Sequence, residues 1–210
     1  MARFRAAVPA LAGVMALVAQ AQTDFRNSRW GMSKAQVIAS ESARPSDTRE
    51  SGGLVVLEYD GIAAWKWDAR VLYIFIKDKL TRAKFVFTAD HAELNDFIAD
   101  YRALEPELRE KHGKPTSERA VWEDDSTQLE PKSYLDQDRA TPASILPSDA
   151  LVGLAVSLGH LKLYTEWETP RTKILHALTG VNHQITHQIE YRSAELESAE
   201  NQNRKTLPEK

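Results

Sequence analysis

The chain has 210 residues, 27 Lys+Arg against 30 Asp+Glu, 42% hydrophobic residues and no cysteine. That length suits one domain, or two small repeats sharing a core. The mixed charge argues against a disordered polyelectrolyte and a basic nucleic-acid binder. The missing cysteines exclude disulfide frameworks, thiolate metal sites and cysteine nucleophiles.

The N-terminus reads MARFRAAVPALAGVMALVAQAQ. Arg3 and Arg5 precede a short apolar stretch, 6–18, and Ala19-Gln20-Ala21 places small residues at −3 and −1. That order is a secretory signal, residues 1–21, cleaved after Ala21. Removal leaves 189 residues with net charge −5, since Arg3 and Arg5 leave with it. No run reaches the ~18 apolar residues of a spanning helix. Without a cysteine at the cleavage point there is no lipid anchor by that route. The expected location is periplasmic or secreted.

The lead-in DFRNSRW meets a well-marked helix start at 33–42. Ser33 fits the N-cap, Gln36 completes a capping box, and Met32 and Val37 fit a hydrophobic staple. Gly31 lets the chain bend before the cap, with Trp30 covering the helix end. Residues 54–88 are dense in β-branched and aromatic types. Asp60-Gly61 predicts a hairpin between strands 54–59 and 62–67. Strands 71–77 and 80–88 follow across a turn at Asp78-Lys79. Thr81, Ala83, Phe85 and Phe87 alternate with Arg82, Lys84 and Val86, the period of an antiparallel meander on a core.

Asp90 and Glu93 fit the N-cap and N3 of a second helix, with Leu94, Phe97, Ile98 and Tyr101 on one stripe. Pro106 predicts a kink or restart. Lys111-His112-Gly113-Lys114-Pro115 is a stop signal. After residues 119–124 comes a polar loop, 125–150, carrying Pro131, Pro142 and Pro147 and long for a connection inside a domain. Strands are then expected at 151–158, 161–169, 172–178 and 185–192, with a turn at Gly180. The tail 193–210 is polar and reads as disordered.

The fold class expected is therefore α+β: one domain, 22–192, made of two helix-plus-antiparallel-meander units at about 24–88 and 89–192. They form a possible tandem repeat sharing one sheet. The phrase FRNSRWGMSKAQVIASE resembles the opening of uncharacterised secreted bacterial proteins with a W-G-M-S-x-x-x-V start, and LREKHGKP and IEYRS are similar to theirs. More distantly, G-M-S-x-x-x-V resembles the helix start of outer-membrane assembly lipoproteins and of the β-lactamase-inhibitor-protein-like fold. That resemblance implies a compact helix-plus-sheet domain that binds other proteins, and it implies no catalytic residues.

Chemistry-bearing residues are few. His183 and His187 lie four apart, which on a strand separates them by ~13 Å and rules out a chelate. If residue 178 pairs with 185, His176 faces His187. The two imidazoles then hold a metal, given a third ligand, or sit as polar members of a sheet face. Glu166 and Glu168 lie on the polar side of a strand, and Glu123-Asp124-Asp125 opens the loop without a calcium-loop pattern. No nucleophile elbow, phosphate loop or H-E-x-x-H is present. Trp65 and Trp67 share one side of a strand and, with Trp30, are either core cover or partner anchors.

The reading is an exported, soluble binding module of the bacterial envelope, with no cofactor and no nucleic-acid partner. Its partner is another envelope protein. The alternatives are a small apolar ligand between helix and sheet, or a hydrolase built from His176, His187 and the acidic loop.

Overall fold

Ser33 opens the first helix as its capping box predicts. Its hydroxyl accepts from the Gln36 N–H, and the Gln36 side chain accepts from the Ser33 N–H at 2.9 Å. Helix α1, Lys34–Ser40, is too short to stand alone and buries only Val37. The chain before it is tied to the sheet by Gly31 N–H to Leu80 O (2.9 Å) and Leu80 N–H to Met32 O (2.8 Å). Gly31 makes that approach at φ +82°.

This computed structural model describes residues 23–124 and 151–196. The expected signal segment, the expected loop 125–150 and the part of the expected tail beyond 196 lie outside the described residues. Following α1 come β1 (Asp47–Ser51), β2 (Leu54–Ala64), β3 (Trp67–Ile76) and β4 (Lys79–Phe87). Then come α2 (Leu94–His112), β5 (Ser117–Trp122), α3 (Val152–Ser157), β6 (Leu161–Glu168), β7 (Thr172–Val181) and β8 (Gln184–Ser193). The eight strands form one antiparallel sheet in the order β1-β2-β3-β4-β8-β7-β6-β5, an α+β architecture.

The alternation read from the sequence sets the two faces. Thr81, Ala83, Phe85 and Phe87 are buried on β4, and Leu161, Leu163, Thr165 and Trp167 on β6. Register carries that face across the sheet: Ala83 pairs with Tyr191, and Tyr191 with Ile174. The face is covered by two apolar clusters. Phe25, Val37, Leu104 and Leu108 pack over the β2–β4 side. Ile98, Tyr101, Val152 and Val156 pack over Leu161 and Leu178.

Several expectations are corrected. Asp60-Gly61 is not a hairpin. β2 runs through it with a register shift between Tyr59 and Ile62, and Gly61 takes the positive φ of a bulge. The chain reverses instead at Trp65 (φ +55°), after Ala64. An exposed edge strand, β1, precedes what the sequence marked as the first strand. Helix α2 begins later than read: its N-cap is Glu93, with no side-chain cap, and it runs unbroken through Pro106. Leu104 and Leu108, both fully buried, anchor it on either side of the proline.

The apolar run 151–158 is helix α3, not a strand; a short apolar run has no period that separates the two. Glycine fits α3 to its neighbours. The Gly153 N–H donates to Asn95 Oδ1 at 2.8 Å, and a Cβ on Gly180 would lie 2.0 Å from the Val156 carbonyl oxygen. Gly180 is therefore inside β7, and the turn falls at Asn182-His183, both with positive φ.

Candidate functional site

β7 and β8 bring His176 and His187 onto the core face under α2. The register is displaced by two residues from the expected one: His176 pairs with Ile189, and Leu178 with His187. The histidines are thus diagonal neighbours, with their Nε2 atoms 2.8 Å apart. Glu105 of α2 reaches His176 Nδ1 at 2.6 Å. The Tyr101 ring stacks on His176 (centroids 4.0 Å, 13° between planes), and Phe87 lies 4.5 Å from His187.

With both rings held neutral by burial, one proton arrangement satisfies this chain. A carboxylate only accepts, so His176 donates through Nδ1 and its bare Nε2 accepts from His187 Nε2–H. Both rings are then neutral. Burial pushes both pKa values below the ordinary range, against the opposing pull of Glu105 on His176. The arrangement resembles the orienting half of a relay, yet the nearby hydroxyls of Tyr101 and Thr165 bond one another at 2.9 Å. Two nitrogens sharing one tetrahedral metal stand roughly 3.3 Å apart. Among the described residues no group of three or more His, Asp and Glu is placed to hold a metal.

The three tryptophans are half-buried. The Trp30 indole N–H donates to Thr172 Oγ1 at 2.9 Å and clips the lead-in to β7. Trp65 meets Phe85 edge-on at 5.7 Å and Trp67 meets Phe87 at 6.1 Å. Both cover the core, but not as neighbours on one strand: Trp65 sits in the turn after β2 and Trp67 opens β3.

A cleft of about 560 Å³ opens between the lead-in, the end of α2 and the β6–β7 turn. Phe25, Phe85 and Tyr191 contribute apolar walls, and Lys111 and Arg171 stand among the lining residues. Arg171 is engaged by Asp24 at 2.7 Å. The Lys111 ammonium lies 5.3 Å from the Trp65 ring centroid, and desolvation lowers its pKa.

The opposite face of the sheet carries what sequence reasoning missed. No described helix packs on it. Val56, Leu72, Ile74 and Val86 line a shallow depression of about 450 Å³ there. Beside it the Glu190 carboxylate is buried among Lys84, Arg82 and Arg192. Burial alone would raise the pKa of Glu190, but those three cations hold it below the usual carboxylate range. Alternation sets only Arg82, Lys84 and Val86 of this group opposite the apolar side of their strand. Only the register of β4, β8 and β7 puts the group together.

Compared with known proteins, the chain matches no family model, no curated protein and no solved structure.

Proposed function

We propose that this chain is an exported, non-catalytic binding module of the bacterial envelope, and that the helix-free face of its sheet is the surface that receives another envelope protein. The observation carrying this reading is the asymmetry of the sheet. The described helices cover one face, and the other offers half-buried Val56, Leu72 and Val86, with buried Ile74, beside charged heads. Export rests on the order of Arg3 and Arg5, the apolar stretch and Ala19-Gln20-Ala21. The likeness of the first helix start to envelope proteins that bind other proteins points the same way. Among the described residues no helix is long and apolar enough to cross a membrane.

The strand order also supports descent from a doubled unit. β4-β3-β2-β1 and β8-β7-β6-β5 run outward from a shared β4–β8 seam, each unit introduced by a helix. Helix α3 is then an insertion in the second unit.

The test is in two parts. Mass spectrometry of the protein from its host is expected to find Gln22 as the first residue; a chain still starting at Met1 overturns export. A photo-crosslinking residue at Val86 is expected to trap one discrete envelope protein, while one at Ala99 on α2 does not. Equal trapping at both positions overturns the surface.

A second reading is a small-ligand carrier, favoured by the 560 Å³ cleft. Its apolar walls and the Lys111 ammonium, which no described carboxylate pairs, suit an apolar molecule with an acidic end. Native mass spectrometry of the purified protein tests it: a bound mass that disappears in Lys111→Met supports the carrier, and a bare chain removes it.

A further inference from the structure

We infer that the cleft beside the end of α2 takes a small aromatic carboxylic acid, with its carboxylate on the Lys111 ammonium and its ring on Phe25, Phe85 and Tyr191. This rests on the carrier reading of that cleft and names the class of its ligand.

Lys111 sits in the last turn of α2, where a cation suits the helix dipole. Glu107 stands one turn earlier, in the favourable Glu-before-Lys order for an ion pair along a helix. That pair does not form. Lys111 has neither a hydrogen bond nor an ion pair among the described residues, and its ammonium lies instead over the rings of Trp65 (5.3 Å) and Tyr191 (5.8 Å). Other lysines are held by acids: Lys34 by Glu50, Lys84 by Glu190 and Lys162 by Glu123. The rings attract the ammonium, yet partial burial outweighs them and lowers the pKa of Lys111. An incoming carboxylate supplies the counter-charge that the fold withholds. Part of the side chain stays exposed, so the anion has access.

The other cations on the lining are already satisfied. Arg171 is held by Asp24 through two hydrogen bonds, 2.8 and 2.7 Å, and Arg26 by Glu41 through two more, 3.1 and 3.0 Å. His112 lines the cleft next to Lys111, with its Nε2 3.2 Å from the Tyr191 hydroxyl. Burial lowers its pKa to about 4, so at neutral pH this imidazole carries no charge. The lining therefore has one positive charge without an acid. A single carboxylate matches it, and a dianion leaves a negative charge over.

The apolar wall sets the rest of the ligand. Phe25 meets Phe85 at 4.8 Å and Tyr191 at 5.1 Å between ring centroids, and Trp65 meets Phe85 at 5.7 Å. The four rings form one cluster, with the ammonium above two of them. A flat ring joins such a cluster edge-on or offset and gains more than its buried area alone provides. The cleft, about 560 Å³, is of ordinary ligand-site size.

The test titrates the isotope-labelled full chain with phenylacetate, cyclohexylacetate and phenylacetamide, followed by NMR. Phenylacetate is expected to move the amide signals of Phe25, Lys111, Arg171 and Tyr191 and to leave those of Val56 and Leu72, on the opposite face, in place. It is expected to bind about fivefold tighter than cyclohexylacetate, which has its size without its π-system. It is expected to bind about tenfold tighter than phenylacetamide, which has no charge. The Lys111 side chain is expected to titrate at higher pH with phenylacetate bound than without it. Lys111→Met is expected to lose about tenfold in affinity, and Lys111→Arg to keep most of it.

Phenylacetamide binding in the cleft as tightly as phenylacetate, or Lys111→Met losing nothing, overturns the acid and leaves the carrier reading standing. Cyclohexylacetate binding as tightly as phenylacetate overturns the aromatic class. No movement of the cleft amides with any of the three at millimolar concentration overturns the site, and the carrier reading with it.

Discussion

His176 and His187 share a hydrogen bond between their Nε2 atoms, 2.8 Å long, although they are not register partners. His187 stands opposite Leu178, so the bond runs diagonally between β7 and β8. Glu105 continues the chain from α2, and Tyr101 of the same helix stacks on His176. The pair is thus a polar seam joining the second helix to the sheet, and burial favours the neutral form of both rings.

That seam makes stability depend on pH. His176 and His187 are lowered by burial, and His112, buried beside Lys111, is lowered to about 4. The charged groups facing the pair are Glu105, which favours the protonated form of His176, and His91, which opposes that of His187. Arg109 stands behind Glu105, and Asp100 pairs with His91. In the unfolded chain these histidines protonate near 6.5. Their contribution is therefore complete above that value. It is lost as pH falls, because the unfolded state takes up protons the folded state refuses. Each such histidine gives a slope of about 1.4 kcal/mol per pH unit. Urea unfolding between pH 6 and 5 is expected to weaken by up to about 4 kcal/mol per unit for the three together. His187→Gln keeps a hydrogen-bonding group without the titration and is expected to remove about one third of that slope. An unchanged slope in this variant refutes the neutral pair.

Glu190 makes the opposite kind of prediction. Its carboxylate is the common counter-charge of Arg82, Lys84 and Arg192, whose side chains are 12%, 22% and 35% exposed. Glu190→Gln removes the carboxylate that these three cations share. Breaking a buried ion pair from one side costs about 3 kcal/mol, roughly 10 °C in a domain of this size. Because its folded pKa lies below the ordinary value, the contribution of Glu190 is present above about 4.5 and fades only in acid below it. The wild type and Glu190→Gln are therefore expected to converge in Tm toward pH 3. A constant gap between them across pH 3 to 7 counts against the ionic account.

How far the sequence reached is clearest at this same pair of strands. Side chains alternate with a period of two, so a register slip of two residues leaves every side chain on its face. His176 and His187 were therefore placed on one side correctly, although the turn was put at Gly180 rather than at Asn182-His183. Nothing local marks Asn182-His183 over Gly180. What excludes Gly180 is the close approach of α3, a tertiary fact. The Asp60-Gly61 error is of the same kind: a glycine with positive φ serves a bulge as well as a turn. The capping box at Ser33 and the stop at Gly113 were legible because their partners lie within a few residues. The setting of Glu190 was not, because Arg82 and Lys84 reach it only through the pairing of β4 with β8, about a hundred residues apart in sequence.

Trp30 offers a test of how the lead-in is held. Its indole N–H reaches Thr172 Oγ1 at 2.9 Å across 142 residues of sequence. Trp30→Phe and Thr172→Val each remove one partner and are expected to cost about 1 kcal/mol. The double variant is expected to cost less than their sum by roughly 0.5–1 kcal/mol, the coupling of a contacting pair. Additive losses in chemical denaturation mean that the bond does not form in solution.

Helix α3 is the element read wrongly as a strand, and two glycines test its placement. A Cβ on Gly180 meets the Val156 carbonyl oxygen at 2.0 Å and the Ser157 Cα at 2.9 Å. A Cβ on Gly153 meets the Leu94 carbonyl carbon at 2.5 Å and the Asn95 nitrogen at 2.7 Å. All four atoms are backbone, so no side chain can swing aside. α3 must lift from β7 in Gly180→Ala and from α2 in Gly153→Ala, and each is expected to cost about 2–3 kcal/mol. Gly53 separates packing from conformational strain: it has a positive φ but nothing within 4 Å of its added Cβ. Gly53→Ala is expected to cost only about 1 kcal/mol. Lifting α3 also exposes Val152 and Val156, so amide exchange in 152–157 is expected to rise in the Gly180 and Gly153 variants and to stay unchanged in the Gly53 variant. If Gly180→Ala is as mild as Gly53→Ala, α3 does not sit on β7, and the cluster joining α2, α3 and the sheet is wrongly placed.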